Sequence, residues 1–144
     1  MKRVALALLL VAAAGSAEAA DFPPLGPLGP VPVPDDNKIT PEKVELGKLL
    51  YFDPRLGGDM STSCADCHAP DKGWQDLQPI CRGYPGTEHW RNCQTIVNSA
   101  YYSQLFWAGS STSLEAQAPS AARGAVAGNG ERDMMEERLA QVPV

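Results

Sequence analysis

Thirteen prolines and thirteen glycines interrupt a chain of 144 residues. They leave little room for regular structure. Proline removes a backbone donor and fixes φ, so it ends helices and is kept out of central strands. Residues 21–36, "DFPPLGPLGPVPVPDD", hold six of the prolines and read as an extended arm. Residues 69–92 carry Pro70, Gly73, Pro79, Gly83, Pro85 and Gly86 and read as one long irregular stretch. Irregular chain of that length in a small domain is functional or tied down.

Between the interruptions only short helices fit. "TPEKVELGKLLY" begins with Thr40 as a cap, Pro41 at the first helical position and Glu42 at the positive end of the dipole. Leu46, Leu49 and Leu50 are spaced as an apolar helix face. Asn92 is placed to cap a second helix through "CQTIVNSAYY". Thr112 or Ser113 caps a third, with Glu115 in its first turn. "GERDMMEERLAQVP" reads as a short amphipathic helix with Met135, Leu139 and Val142 on one side. No alternating pattern marks a strand. The expected class is all-α, with three to four short helices and long loops. Such a chain buries a thin core and needs a staple or a cofactor.

The N-terminus bears on where that chain works. Lys2 and Arg3 precede an apolar run from Val4 to Ala14, followed by small residues up to Ala20. The run is too short to span a bilayer, which takes about 20 residues. It reads as a secretory signal over residues 1–20. The full chain carries net charge −5. Removing the signal brings this to about −6, which argues against nucleic acid or anionic lipid as a partner. No later segment could cross a membrane. Export also sets the redox setting of Cys64, Cys67, Cys81 and Cys93, because disulfides persist outside the cytosol.

Cys64-Ala65-Asp66-Cys67-His68 has the C-x-x-C-H pattern of covalent haem attachment. The order follows from the chemistry. Two thiols add to the two haem vinyl groups, and the adjacent imidazole becomes the proximal ligand of the iron. A zinc site wants a second close pair of ligands, whereas Cys81 and Cys93 lie far apart in sequence. A thioredoxin-like redox pair expects a βαβ setting that is missing here. A plain structural disulfide is the third alternative. The motif, the signal and the helical, loop-rich pattern together favour one covalent haem in a small cytochrome c-like domain over residues 37–144. Cys81 and Cys93 are then expected to form a disulfide across the irregular segment. His89, the other histidine, is open to three readings: sixth haem ligand, distal acid–base group, or surface residue. Met60, Met134 and Met135 are further candidate ligands, although methionine more often fills a core.

These motifs form a larger pattern. "TPEKVELGKLLYFDPRLGGDMSTSCADCHAPDKGW", "RNCQTIVNSAYYSQLFWAG" and "SLEAQA" resemble the N-terminal haem domain of the bacterial di-haem cytochrome c peroxidases and their MauG-type relatives. The resemblance implies a periplasmic oxidoreductase that reduces hydrogen peroxide. Electrons would come from a small donor protein, a cytochrome c or copper protein, by way of a second haem-bearing domain or subunit. It implies that Cys64 and Cys67 hold haem and that His68 is the proximal ligand. It places Trp107 on the electron path between haems, Asn92 at a calcium ion, and Glu131 as the nearest equivalent of a distal glutamate. "FWAGS" departs from the family's "FWDGR", and Tyr84 stands where an ungapped alignment expects a distal histidine. A single C-x-x-C-H means that a second covalent haem is not expected within these residues. The alternative is a mono-haem electron-transfer cytochrome, or a cytochrome subunit without peroxidase activity.

Overall fold

Thr40 opens the first helix as its sequence predicts. In the computed structural model, which describes residues 24–141, helix α1 runs Pro41–Phe52. The Thr40 hydroxyl accepts from the Lys43 N–H at 3.3 Å. Helix α2 is the single turn Cys64–Cys67, α3 is Leu114–Arg123 and α4 is Arg132–Gln141. Three 3-10 turns, Pro54–Leu56, Pro70–Lys72 and Ser99–Tyr101, lie among them. The described residues contain no strand, only isolated bridges such as Ala69 with Gln75 and Arg82 with Glu88. The expected signal segment and Val142 lie outside the described residues. Residues 24–30 form neither helix nor strand, are exposed, and belong to a unit that ends at Pro30. The described helices all belong to the unit Val31–Val144.

Helix α1 does not bury the face that its leucines suggest. Leu46 and Leu49 are more than half exposed. Tyr51 docks the helix instead. Its ring meets Trp74 edge-on at 5.6 Å, and its hydroxyl donates to the His68 carbonyl at 2.5 Å. One aromatic with a polar end thus replaces an aliphatic stripe. At the other end, Asn37 ties α1 to α3. It accepts from Lys43 Nζ at 2.7 Å and donates to the Glu115 carboxylate at 3.0 Å.

The helix expected over Cys93–Tyr102, with Asn92 as its cap, is not formed beyond the 3-10 turn Ser99–Tyr101. The reason is tertiary. The Gln94 carbonyl accepts from His68, the Thr95 hydroxyl donates to Gly73 O at 2.7 Å, and the Ile96 N–H donates to Trp74 O at 3.2 Å. Asn98 is left-handed at φ 61°, which no helix interior accommodates. Groups that a helix would pair locally are taken by distant partners.

Helix α4 closes the unit through Arg138, whose guanidinium donates to the Gly57 and Gly58 carbonyls. The chain is tight there: a Cβ on Gly57 would lie 2.5 Å from the Thr62 carbonyl oxygen. Arg138→Ala removes two charge-assisted bonds and leaves both carbonyls without this donor. It is expected to cost about 2 kcal/mol in urea unfolding.

Candidate functional site

The two thiols and His68 are presented by the shortest helix. Asp66 stabilises its start by accepting from the Ser63 N–H at 2.6 Å and from the Ser63 hydroxyl at 2.8 Å. This is the reciprocal capping that begins a helix even of one turn. Cys64 and Cys67 both carry free thiols. Burial raises the pKa of each, with Cys67 pushed up to about 11. His68 follows directly. Its Nδ1 lies 2.9 Å from the Gln94 carbonyl, which can only accept, so Nδ1 carries the proton. Nε2 is therefore the nitrogen with a free lone pair. Burial lowers the pKa of the ring and favours the neutral form that binds a metal.

These groups line a cavity of about 410 Å³. Its opposite wall is α3, which contributes Leu114, Gln117, Ala118, Ala121 and Ala122. That is the i, i+3, i+4 spacing of one helix face. Tyr51, Leu56 and Ile96 add to the lining. A second cavity of about 180 Å³ shares Cys67, His68, Ile96 and Gln117, and extends to His89, Asn92 and Trp107.

The donor set fits haem c. Two unbridged thiols sit one helical turn apart, the neighbouring histidine is locked in the tautomer that leaves Nε2 free, and the walls are mostly aliphatic. A carbonyl bond on the far nitrogen is the usual outer support of a metal-binding imidazole.

The other expected site residues divide. His89 and Trp107 line the smaller cavity with His68. His89 Nε2 donates to the Val126 carbonyl at 2.5 Å, which leaves Nδ1 as its free nitrogen. The Trp107 indole donates to Asn92 O at 2.8 Å, and the Arg91 guanidinium lies 6.0 Å from its ring centroid. Glu131 is not brought to the cavities. It is exposed at the start of α4, where its carbonyl accepts from Met135 N–H at 2.9 Å. Tyr84 packs toward Gly58, where its ring would meet an added Cβ at 3.2 Å. Met60 and Met134 are exposed.

Calcium takes six to eight oxygen ligands. Asn92 turns its Nδ2 to Gln78 O, which leaves one side-chain oxygen. Among the described residues, the single group of three or more His, Cys, Asp or Glu able to hold a metal is made of sulfurs.

Gln117 is the residue that the sequence reading passed over. It lines both cavities on an otherwise apolar helix face. The signal was available, as one polar side chain in register with Leu114, Ala118 and Ala121.

Cys81 and Cys93 are bridged, with Cα atoms 5.1 Å apart. Cys81 is 1% exposed and is fixed on both sides of its backbone: its N–H donates to Arg91 O and its carbonyl accepts from His89 N–H.

Comparison with known proteins agrees with this geometry. The family described as di-haem cytochrome c peroxidase matches residues 41–144. The cytochrome-c peroxidase IdrP1 of Denitromonas iodatirespirans is 66% identical over 143 residues, covering 98% of this chain and 38% of that protein. The methylamine utilization protein MauG of Methylorubrum extorquens is 42% identical over 113 residues, covering 78% of this chain and 32% of that protein. Among solved structures, a MauG-like protein associated with microbial copper homeostasis superposes with a TM-score of 0.72 at 30% identity, over 87% of this chain and 36% of that one. The chain thus spans under two-fifths of the length of these relatives. With its C-x-x-C-H turn facing an apolar crevice, it belongs to the di-haem cytochrome c peroxidase family.

Proposed function

We propose that this chain carries a peroxide-reacting haem, acting in the periplasm on hydrogen peroxide. The observation that carries the reading is the state of the histidines. His68 offers Nε2 to the crevice with Nδ1 fixed by Gln94, whereas His89 has Nε2 engaged by Val126. No methionine lines either cavity. His68 would hold the haem iron, and unless His89 turned its free Nδ1 toward it, that iron would be open to a small ligand. This favours an enzyme over a six-coordinate electron carrier.

Cys64 and Cys67 would hold the haem, and His68 would ligate its iron. Bound haem supplies the redox centre at which peroxide is reduced. The chain's own residues prepare that centre. Gln94 keeps the His68 proton on Nδ1 and fixes the ring plane. The aliphatic face of α3 limits water. Gln117 supplies an amide where the other polar groups are few, and a preorganised donor there stabilises charge developing on oxygen. His89 stands as an alternative distal acid–base group once its bond to Val126 opens. Trp107, with Tyr101 and Tyr102 nearby in sequence, is proposed as the electron entry. The electrons would come from a small donor cytochrome or copper protein by way of a second haem-bearing domain or subunit.

The ferric holoprotein is expected to show a high-spin spectrum that changes on adding peroxide. Gln117→Leu should keep that spectrum and slow the reaction with peroxide by about tenfold or more. A low-spin spectrum indifferent to peroxide would overturn the reading in favour of electron transfer alone.

A further inference from the structure

The loop that covers the attachment turn brings a third and a fourth sulfur to it. The Sγ atoms of Cys67, Cys81 and Cys93 all lie within 4.8 Å of one another. Cys67 is turned toward this loop, since its Sγ donates to the Arg82 carbonyl at 3.3 Å, one residue from Cys81. Cys64 is not part of the cluster and is exposed. The two thiols of one motif therefore differ: Cys64 lines the crevice away from the bridge, and Cys67 is seated against a disulfide.

We propose that Cys67 is the internal exchange partner of the Cys81–Cys93 disulfide until a thioether forms on it, so that haem attachment at Cys67 is the step that fixes the pairing. The second half rests on the haem reading above; the first half does not. In the exchange, Cys67 Sγ attacks one sulfur of the bridge. One S–S bond forms, one breaks, and the thiol proton of Cys67 passes to the expelled sulfur. The number of disulfides is unchanged, so no oxidant or reductant is consumed. Cys81 is closed to solvent. A neighbouring thiol reaches that sulfur more readily than a soluble one, and this access offsets the scarcity of thiolate that burial imposes on Cys67.

This sets an order in maturation. A chain paired through Cys67 has no thiol there to add to a vinyl group. The reverse exchange, in which the expelled cysteine attacks the mixed bridge, or an external dithiol must restore the Cys67 thiol before attachment can finish. Once the thioether is made, the sulfur has no proton to lose and cannot attack, and Cys81–Cys93 remains as the surviving pair.

The test compares two full-length chains prepared without haem, Cys64→Ala and Cys67→Ala. Each has the bridge and one free thiol, and each lacks the cofactor equally. After incubation, acid quenching and alkylation, the disulfides are mapped by mass spectrometry. Cys64→Ala is expected to show Cys67–Cys81 or Cys67–Cys93 bonds at about tenfold or more above the Cys64-containing isomers of Cys67→Ala. The wild-type holoprotein is expected to show only Cys81–Cys93. Equal scrambling in both variants means that exchange is not directed by the fold, and no exchange in either means that Cys67 is not poised; each result overturns the proposal. A wild-type chain that retains no haem defeats the haem reading while leaving the comparison of the two variants readable.

Discussion

A Cys64→Ser/Cys67→Ser chain is expected to release essentially all of its haem on extraction with acidified organic solvent, while the wild type keeps its haem through the same treatment. The difference should be about 100-fold in retained haem, because two thioether bonds are replaced by one axial bond that acid breaks by protonating the imidazole. Single variants are expected to fall between, keeping one thioether and a haem spectrum shifted by the vinyl group left unreacted. Haem stain on a denaturing gel, together with the mass of the intact chain, reads both quantities. Retention of wild-type haem by the double variant would defeat the assignment of Cys64 and Cys67. Tyr51 helps hold the segment in place, since its hydroxyl is bonded to the carbonyl of His68.

The second large effect concerns the other sulfur pair. Cys81→Ser/Cys93→Ser opens a loop of sequence separation 12. The chain-entropy model assigns about 3 kcal/mol to a loop of this size. With a urea slope of about 1.5 kcal/mol per molar, the unfolding midpoint of the holoprotein should fall by about 2 M. The loss should exceed that of Arg138→Ala, which removes two hydrogen bonds but leaves the denatured chain unconstrained in the same way as before. A midpoint unchanged within experimental scatter would mean that the bonds of Cys81 to Arg91 and His89 already hold the loop.

Local chemistry made two of the helices legible in advance. Thr40, Pro41 and Glu42 mark the start of α1, and Ser113 caps α3 by accepting from the Ala116 N–H at 3.2 Å. Those signals act within four residues, so they survive whatever the rest of the chain does. The bridge between Cys81 and Cys93 was legible for a different reason: once the C-x-x-C-H motif had claimed Cys64 and Cys67, they were the remaining pair in a chain that reads as exported. The helix expected over Cys93–Tyr102 failed because its competitors are remote. His68, Gly73 and Trp74 take groups of Gln94, Thr95 and Ile96 at separations that no local pattern encodes. The apolar stripe of α1 misled because the helix docks by Tyr51. For the candidate site, the motif singled out Cys64, Cys67 and His68, which the fold brings to one crevice. Gln117 was obscured because one glutamine in "SLEAQAPSAAR" looks like ordinary surface until the helix face that contains it is seen to wall the crevice.

The carbonyl that holds His68 belongs to a residue with a neighbour anchored on each side. Cys93 before it is bridged to Cys81, and Thr95 after it is bonded to Gly73. The imidazole thus takes its bearing from a short span of main chain clamped at both ends, rather than from a side chain free to change rotamer. A ligand aligned by backbone is insulated from drift in the sequence around it. Side chains along this span can be exchanged to tune polarity or partner choice while the ring keeps its aim.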